Sequence, residues 1–227
     1  MRGARWHILL ATLCMAAGVL VGLVLTLGSA DWFYAFVDAE LAGGRTPAAT
    51  TEALRSVLYE QPALSEALSE FAAFLFSNNA KVGMLCFALG FAFGVPTVYL
   101  LFANGLMLGA FVALYADHGL TVELAAWLMI HGTTELFAII LCGAAGLIIG
   151  EGVVFPGPRS RLANLGRRGR EAATLVAGAV LMLFVAALLE GLGRQLVNGP
   201  FERTAIGAGA LALWTWYFVA AGRRGAP

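Results

Sequence analysis

The charges of this chain are spaced so that long stretches carry none. Asp, Glu, Lys and Arg are absent from Trp6 to Ala30, between Lys81 and Asp117, between Glu171 and Glu190, and between Arg203 and Arg223. Between Glu123 and Glu151 the only charged residue is Glu135. A helix rises 1.5 Å per residue, so about 20 mostly apolar residues cross a hydrocarbon core roughly 30 Å thick. Each stretch is near or above that length. The chain is 60% hydrophobic and 12% charged, against about 25% charged in soluble domains. This excludes a soluble enzyme, a nucleic-acid binder and a disordered chain. The expectation is an all-α, polytopic transmembrane bundle forming a single integral membrane domain over 1–227.

Residues 82–116 are too many for one simple crossing, and Gly94-Val95-Pro96 offers the break. Proline cannot continue a helical hydrogen-bond ladder and disfavours helical geometry at the residue before it. Asn104-Gly105 is the rival break, but it leaves a second piece of only a dozen residues. Six crossings are expected, at about 8–28, 80–94, 97–117, 123–150, 172–192 and 205–221. The 80–94 piece is short enough to tilt or re-enter. Gly28-Ser29-Ala30 imitates a signal-peptide cleavage site, but the apolar run before it, about 20 residues, exceeds the usual 7–15. An uncleaved first helix is expected. Cleavage would leave five crossings.

Orientation follows from the basic residues. Arg2 and Arg5 precede the first crossing, and Arg159, Arg161, Arg167, Arg168 and Arg170 fall in the connection 151–171. Arg223 and Arg224 follow the last crossing, so these three segments hold nine of the 14 basic residues. The positive-inside rule makes them cytoplasmic, with both termini. The arginine-rich connection also suits anionic lipid headgroups, though topology alone accounts for it. Asp31–Lys81 has seven acids and three bases and reads as an outer segment, 29–79. Within it, Pro62 opens a pattern of Leu64, Leu68, Phe71 and Leu75 at helical spacing, an amphipathic helix lying on the bundle or the outer leaflet. Trp214, Trp216 and Tyr217 precede Arg223 as an interfacial aromatic belt would.

Glycine pairs spaced by four recur at Gly18/Gly22, Gly90/Gly94, Gly105/Gly109 and Gly146/Gly150. Such pairs let helix backbones approach where no hydrophobic force drives helices together. Cys14, Cys86 and Cys142 lie in apolar runs without metal-ligand spacing and read as packing residues. The polar residues inside the crossings are few. His131 and Glu135 share a helix face, being four apart, and Thr134 adjoins them. Asn104 lies 13 residues before Asp117, and Glu135 lies 12 after Glu123. Both are then roughly 18–20 Å from the outer end and can face each other across an antiparallel pair. Glu190 lies near the outer end of the fifth crossing, with Arg194 as an i,i+4 partner. A carboxylate deep in a bilayer costs several kcal/mol unless paired, protonated or hydrated.

Four readings of this cluster stay open: an interhelical polar clasp, a proton or ion pathway, a metal site and an unassigned role. His131 and Glu135 supply two ligands on one face, but a catalytic zinc wants three protein ligands. Glu190 would have to be the third. No nucleophile elbow, phosphate-cradling loop or zinc-protease motif is present, and no metal or cofactor is expected. His7 and His118 sit at crossing boundaries and are read as interfacial.

Ser77-Asn78-Asn79-Ala80-Lys81-Val82 leads into an apolar helix ending Gly94-Val95-Pro96-Thr97. The run Tyr99 to Ala110, with Asn104-Gly105 inside it, comes next. His131-Gly132-Thr133-Thr134-Glu135-Leu136 and Ala144-Ala145-Gly146-Leu147 come later, and Glu190 after them. This order resembles the stage II sporulation protein M (SpoIIM) family over roughly residues 70–195. The family pattern carries proline before the histidine, where this chain has Ile130. The resemblance implies an all-helical membrane fold and marks Asn78, Asn79, Asn104, Gly105, His131, Gly132, Glu135 and Glu190 as motif positions. It also implies a non-enzymatic scaffold or subunit of an envelope-associated complex in a bacterial or archaeal cytoplasmic membrane. The namesake joins a cell-wall-remodelling complex during spore engulfment. The alternative is a small proton- or ion-coupled transporter lined by His131, Glu135 and Asn104. An intramembrane metalloenzyme comes third. Expected partners are membrane lipids and a second copy or other membrane proteins, not nucleic acid.

Overall fold

The computed structural model describes residues 4–59, 67–196 and 200–221. Among them all regular structure is helical. In chain order the helices are α1 (Arg5–Gly28), α2 (Asp31–Phe36), α3 (Ala39–Ala42), α4 (Thr51–Tyr59), α5 (Ala67–Ala88), α6 (Val95–Asp117), α7 (Thr121–Val154), α8 (Arg161–Leu196) and α9 (Pro200–Ala221). Four segments among the described residues are long and apolar enough to cross a membrane: Arg5–Gly28, Val95–Asp117, Gly132–Val154 and Arg161–Leu188. The other two expected crossings, 80–94 and 205–221, fall in or next to α5 and α9 and are not among these four. The structure shows a local break near 80–94. The helix stops at Ala88, a 3-10 turn follows over Leu89–Phe91, and Gly94 adopts φ 74 before Pro96 opens α6.

The Gly-Val-Pro break is where the sequence places it, and the structure shows how it is held. The Thr97 hydroxyl donates to the Cys86 carbonyl at 2.7 Å, satisfying an acceptor near the end of α5. The turn lies on α7 through glycines. A Cβ on Gly90 would stand 2.6 Å from Gly146 Cα, and one on Gly150 would stand 2.8 Å from Gly94 Cα. A second backbone contact joins α1 to α6. A Cβ on Gly18 would be 3.1 Å from Gly105 Cα, and one on Gly109 would be 2.7 Å from the Leu23 nitrogen. On Gly22 it would overlap the Leu106 carbonyl oxygen.

Two element boundaries differ from expectation. The connection expected over 151–171 is mostly helix: α7 runs to Val154 and α8 starts at Arg161, so only Arg159 of the five arginines lies in the turn. Glycines in that segment leave helical hydrogen bonding intact, and Asn164 ties the two helices by donating to the Gly152 carbonyl at 2.7 Å. The outer segment expected to end at residue 79 has no boundary there, because α5 runs unbroken from Ala67 through Lys81. Of the amphipathic helix expected from Pro62, residues 60–66 and the side chains of Leu68, Phe71 and Leu75 lie outside the described residues.

The short helices form a cap at the end where α6 turns into α7. Phe33, Leu54 and Leu58 pack with Leu114, Tyr115, Leu120 and Leu124 in one buried cluster. Two arginines close helix ends in this cap, where the last carbonyls lack intrahelical partners. Arg45 donates to the Ala42 and Leu41 carbonyls at 2.9 and 2.6 Å at the end of α3, and Arg203 of α9 donates to the Leu58 carbonyl at 3.0 Å at the end of α4. Long helices α7 and α8 share the main core, with Ala138, Leu141, Ala145, Val176, Ala179 and Met182 buried between them.

Gly105→Leu is expected to force α1 away from α6 and destabilise the protein by about 1–3 kcal/mol, the usual range for overpacking. Gly178→Ala in α8 meets no atom within 4 Å and is expected to leave the melting temperature in detergent unchanged or slightly raised. Equal melting of the two variants would refute the backbone contact.

Candidate functional site

Consecutive residues on a helix point about 100° apart, and α7 uses this at Thr134 and Glu135. Glu135 faces α5, where Asn79 Nδ2 donates to its Oε2 at 2.7 Å. Thr134 faces α9, where Trp214 Nε1 donates to its hydroxyl oxygen at 3.1 Å. Both α7 residues are buried, Thr134 completely and Glu135 with 6% of its surface exposed. Two adjacent positions thus bind α7 to two different helices. The neighbouring Thr133 hydroxyl is buried without a hydrogen-bond partner among the described residues.

Glu135 lies in the segment Gly132–Val154, about 24 Å along the axis from Glu151. A carboxyl buried there needs a donor from the protein, since burial removes water. The Asn79 amide supplies it from 56 residues away. Asn79 is thereby placed inside the bundle rather than on an outer segment. Its neighbour Asn78 is half-buried on the same helix.

The other expected positions are distributed as follows. Asn104 is half-buried on α6, and no hydrogen bond joins it to Glu135 among the described residues. Gly105, next to it, faces α1 and not α7. Gly132 is buried, and a Cβ there would meet Leu128 of the same helix at ordinary distance. The side chains of Ile130, His131, Glu190 and Arg194 lie outside the described residues, and with them the expected His131–Glu190 convergence and the Glu190–Arg194 pair. Among the described residues no group of three His, Cys, Asp or Glu is placed to hold a metal ion. Trp214 is drawn into the bundle by Thr134 instead of marking an interface, while Trp216 and Tyr217 are exposed.

A second polar group lies at the C-terminal end of α7. His7 Nε2 of α1 is 3.0 Å from Glu151 Oε2, and Arg168 of α8 reaches the same oxygen at 3.3 Å. Arg167 and Arg168 both pair with Glu171, at 2.7 and 3.4 Å. Arg159, Arg161 and Arg170 are exposed. Sequence reasoning left His7 without a role. The available signal was Glu151, an acid among basic residues at the end of an apolar run.

The model of the family described as stage II sporulation protein M matches residues 11–193. The chain belongs to the SpoIIM family. The match begins well before the resemblance read from the motifs, so it takes in most of α1 and the α1–α6 glycine contact. Neither a curated protein nor a solved structure matches the chain. In this SpoIIM-family member a hydrogen bond joins Asn79 and Glu135, two of the positions in the resemblance read from the sequence.

Asn79→Ala leaves the Glu135 carboxyl buried without its donor and is expected to destabilise by about 1–3 kcal/mol. A double-mutant cycle with Glu135→Ala, read by thermal melting in detergent, should show coupling of at least about 0.5 kcal/mol. Additive effects would mean that the hydrogen bond contributes nothing.

Proposed function

We propose that this SpoIIM-family protein is a non-enzymatic scaffold or subunit of an envelope-associated membrane complex. The observation that carries the reading is the state of Glu135: buried, and held by Asn79 at 2.7 Å. A polar group used in this way fastens helices together. In this reading the chain crosses a bacterial or archaeal cytoplasmic membrane six times with both termini inside. The basic residues of the α7–α8 connection and of the two termini support that orientation. Its partners are membrane lipids and other membrane proteins, a second copy among them.

A second reading, a small proton- or ion-coupled transporter, rests on the buried carboxyl itself and on the unpartnered Thr133 hydroxyl beside it. Liposomes separate the two. The purified full chain is expected to dissipate an imposed pH gradient no faster than empty vesicles, and Glu135→Gln is expected to change melting but not flux. A pH-dependent proton flux that Glu135→Gln abolishes would overturn the scaffold reading and establish the transporter.

A further inference from the structure

At the end of the bundle where α1 begins and α7 turns toward α8, the protein has an open cavity of about 490 Å³. One wall is polar, from His7, Glu151 and Arg168. The other is apolar and includes Trp6, Phe93 and Phe155. These rings project from the protein: Trp6 is 67% exposed, Phe93 62% and Phe155 75%. Exposed aromatic rings at the end of an apolar bundle sit where acyl chains meet headgroups. Phe93 also holds a left-handed backbone, φ 62, that bulky residues rarely adopt and that recurs at ligand sites.

The polar wall presents opposite charges side by side. Glu151 Oε2 is shared by His7 and Arg168, while Oε1 has no partner among the described residues. Arg168 also faces Glu171, which Arg167 holds from its other side. His7 Nδ1 and Arg168 Nε are buried with no hydrogen-bond partner among the described residues. The accessible cation of this wall is Arg168, whose side chain is 27% exposed.

We propose that this cavity binds a phospholipid whose headgroup carries both a phosphate and a primary ammonium, as phosphatidylethanolamine does. The phosphate lies against Arg168 and His7, the ammonium donates to Glu151 Oε1, and the acyl chains run along Trp6, Phe93 and Phe155. Charge-assisted hydrogen bonds of both signs match a zwitterion. A phosphatidylglycerol headgroup would set its negative charge beside Glu151 without an ammonium to answer it. A choline headgroup has no N–H to give that carboxylate. The site is independent of whether the protein is a scaffold or a transporter.

Native mass spectrometry of the full chain in detergent tests this, with phosphatidylethanolamine, phosphatidylglycerol and phosphatidylcholine of identical acyl chains. Phosphatidylethanolamine is expected to be retained about tenfold more tightly than either other lipid, the factor that one charge-assisted hydrogen bond supplies. Glu151→Gln should bring it down to the level of phosphatidylcholine, and Arg168→Gln should weaken all three. Arg159→Gln and Arg170→Gln, at the same end but exposed, should leave the preference intact. Water-soluble glycerophosphoethanolamine at equal concentration should not compete. Equal retention of the three lipids by the unaltered protein overturns the proposal, and that comparison stands even if a variant fails to fold. A preference for phosphatidylcholine, one that survives in folded Glu151→Gln, or one that disappears in Arg159→Gln or Arg170→Gln also overturns it.

Discussion

The bundle depends on backbone-to-backbone contact at glycine. Helices surrounded by lipid gain nothing from hydrophobic burial against each other, because the tails are as apolar as leucine. What remains is dispersion, and it grows as axes approach. Gly18, Gly22, Gly105 and Gly109 remove the side chains that would hold α1 off α6. Gly90, Gly146 and Gly150 do the same where the turn between α5 and α6 lies on α7. These contacts fix depth as well as distance. With Gly94 against Gly150 and Gly83 against Cys142, α5 runs in the same direction as α7, and that register brings Asn79 to Glu135.

Close packing also explains why so few polar residues suffice. Once the helices are held at short range, a single amide satisfies a carboxyl and a single indole satisfies a hydroxyl. Each bond crosses between helices, so each adds orientation to a contact that glycine leaves free to rotate. The hydrogen bonds from Asn79 and Trp214 to adjacent residues of α7 pin its rotation toward two neighbours at once.

The helical class, the long apolar helices and the break before Pro96 were legible in the residues, because each follows from local composition or from a proline; so was the isolation of Glu135 in an apolar run. The partner of Glu135 was not. Equal distances from the outer end pointed to Asn104, since α6 and α7 are joined by a short turn. Yet α6 spends its glycine face on α1, and α5 supplies the amide instead. The charge and hydropathy pattern gives no sign of this, because Asn79 lies midway along α5 among polar residues. Ser77, Asn78, Asn79 and Lys81 read as a surface until a partner for them is known. The arginine-rich connection misled in the same way: a charged segment looks like a loop, but charge does not break a helix, and α8 begins at Arg161.

The two ends of the bundle are closed by different chemistry. At the capped end, arginines donate to helix-terminal carbonyls: Arg45 to Ala42 and Leu41, and Arg203 to Leu58. A carbonyl holds no net charge, so these contacts persist across pH and bury readily under the cap. At the other end His7 and Arg168 meet at one oxygen of the half-exposed Glu151 carboxylate. Exposed ion pairs contribute little to stability, typically about 0–1 kcal/mol, and are easily exchanged for other partners. One end is therefore built to stay shut, and the other keeps ionic groups that a headgroup can engage without breaking the core of α7 and α8.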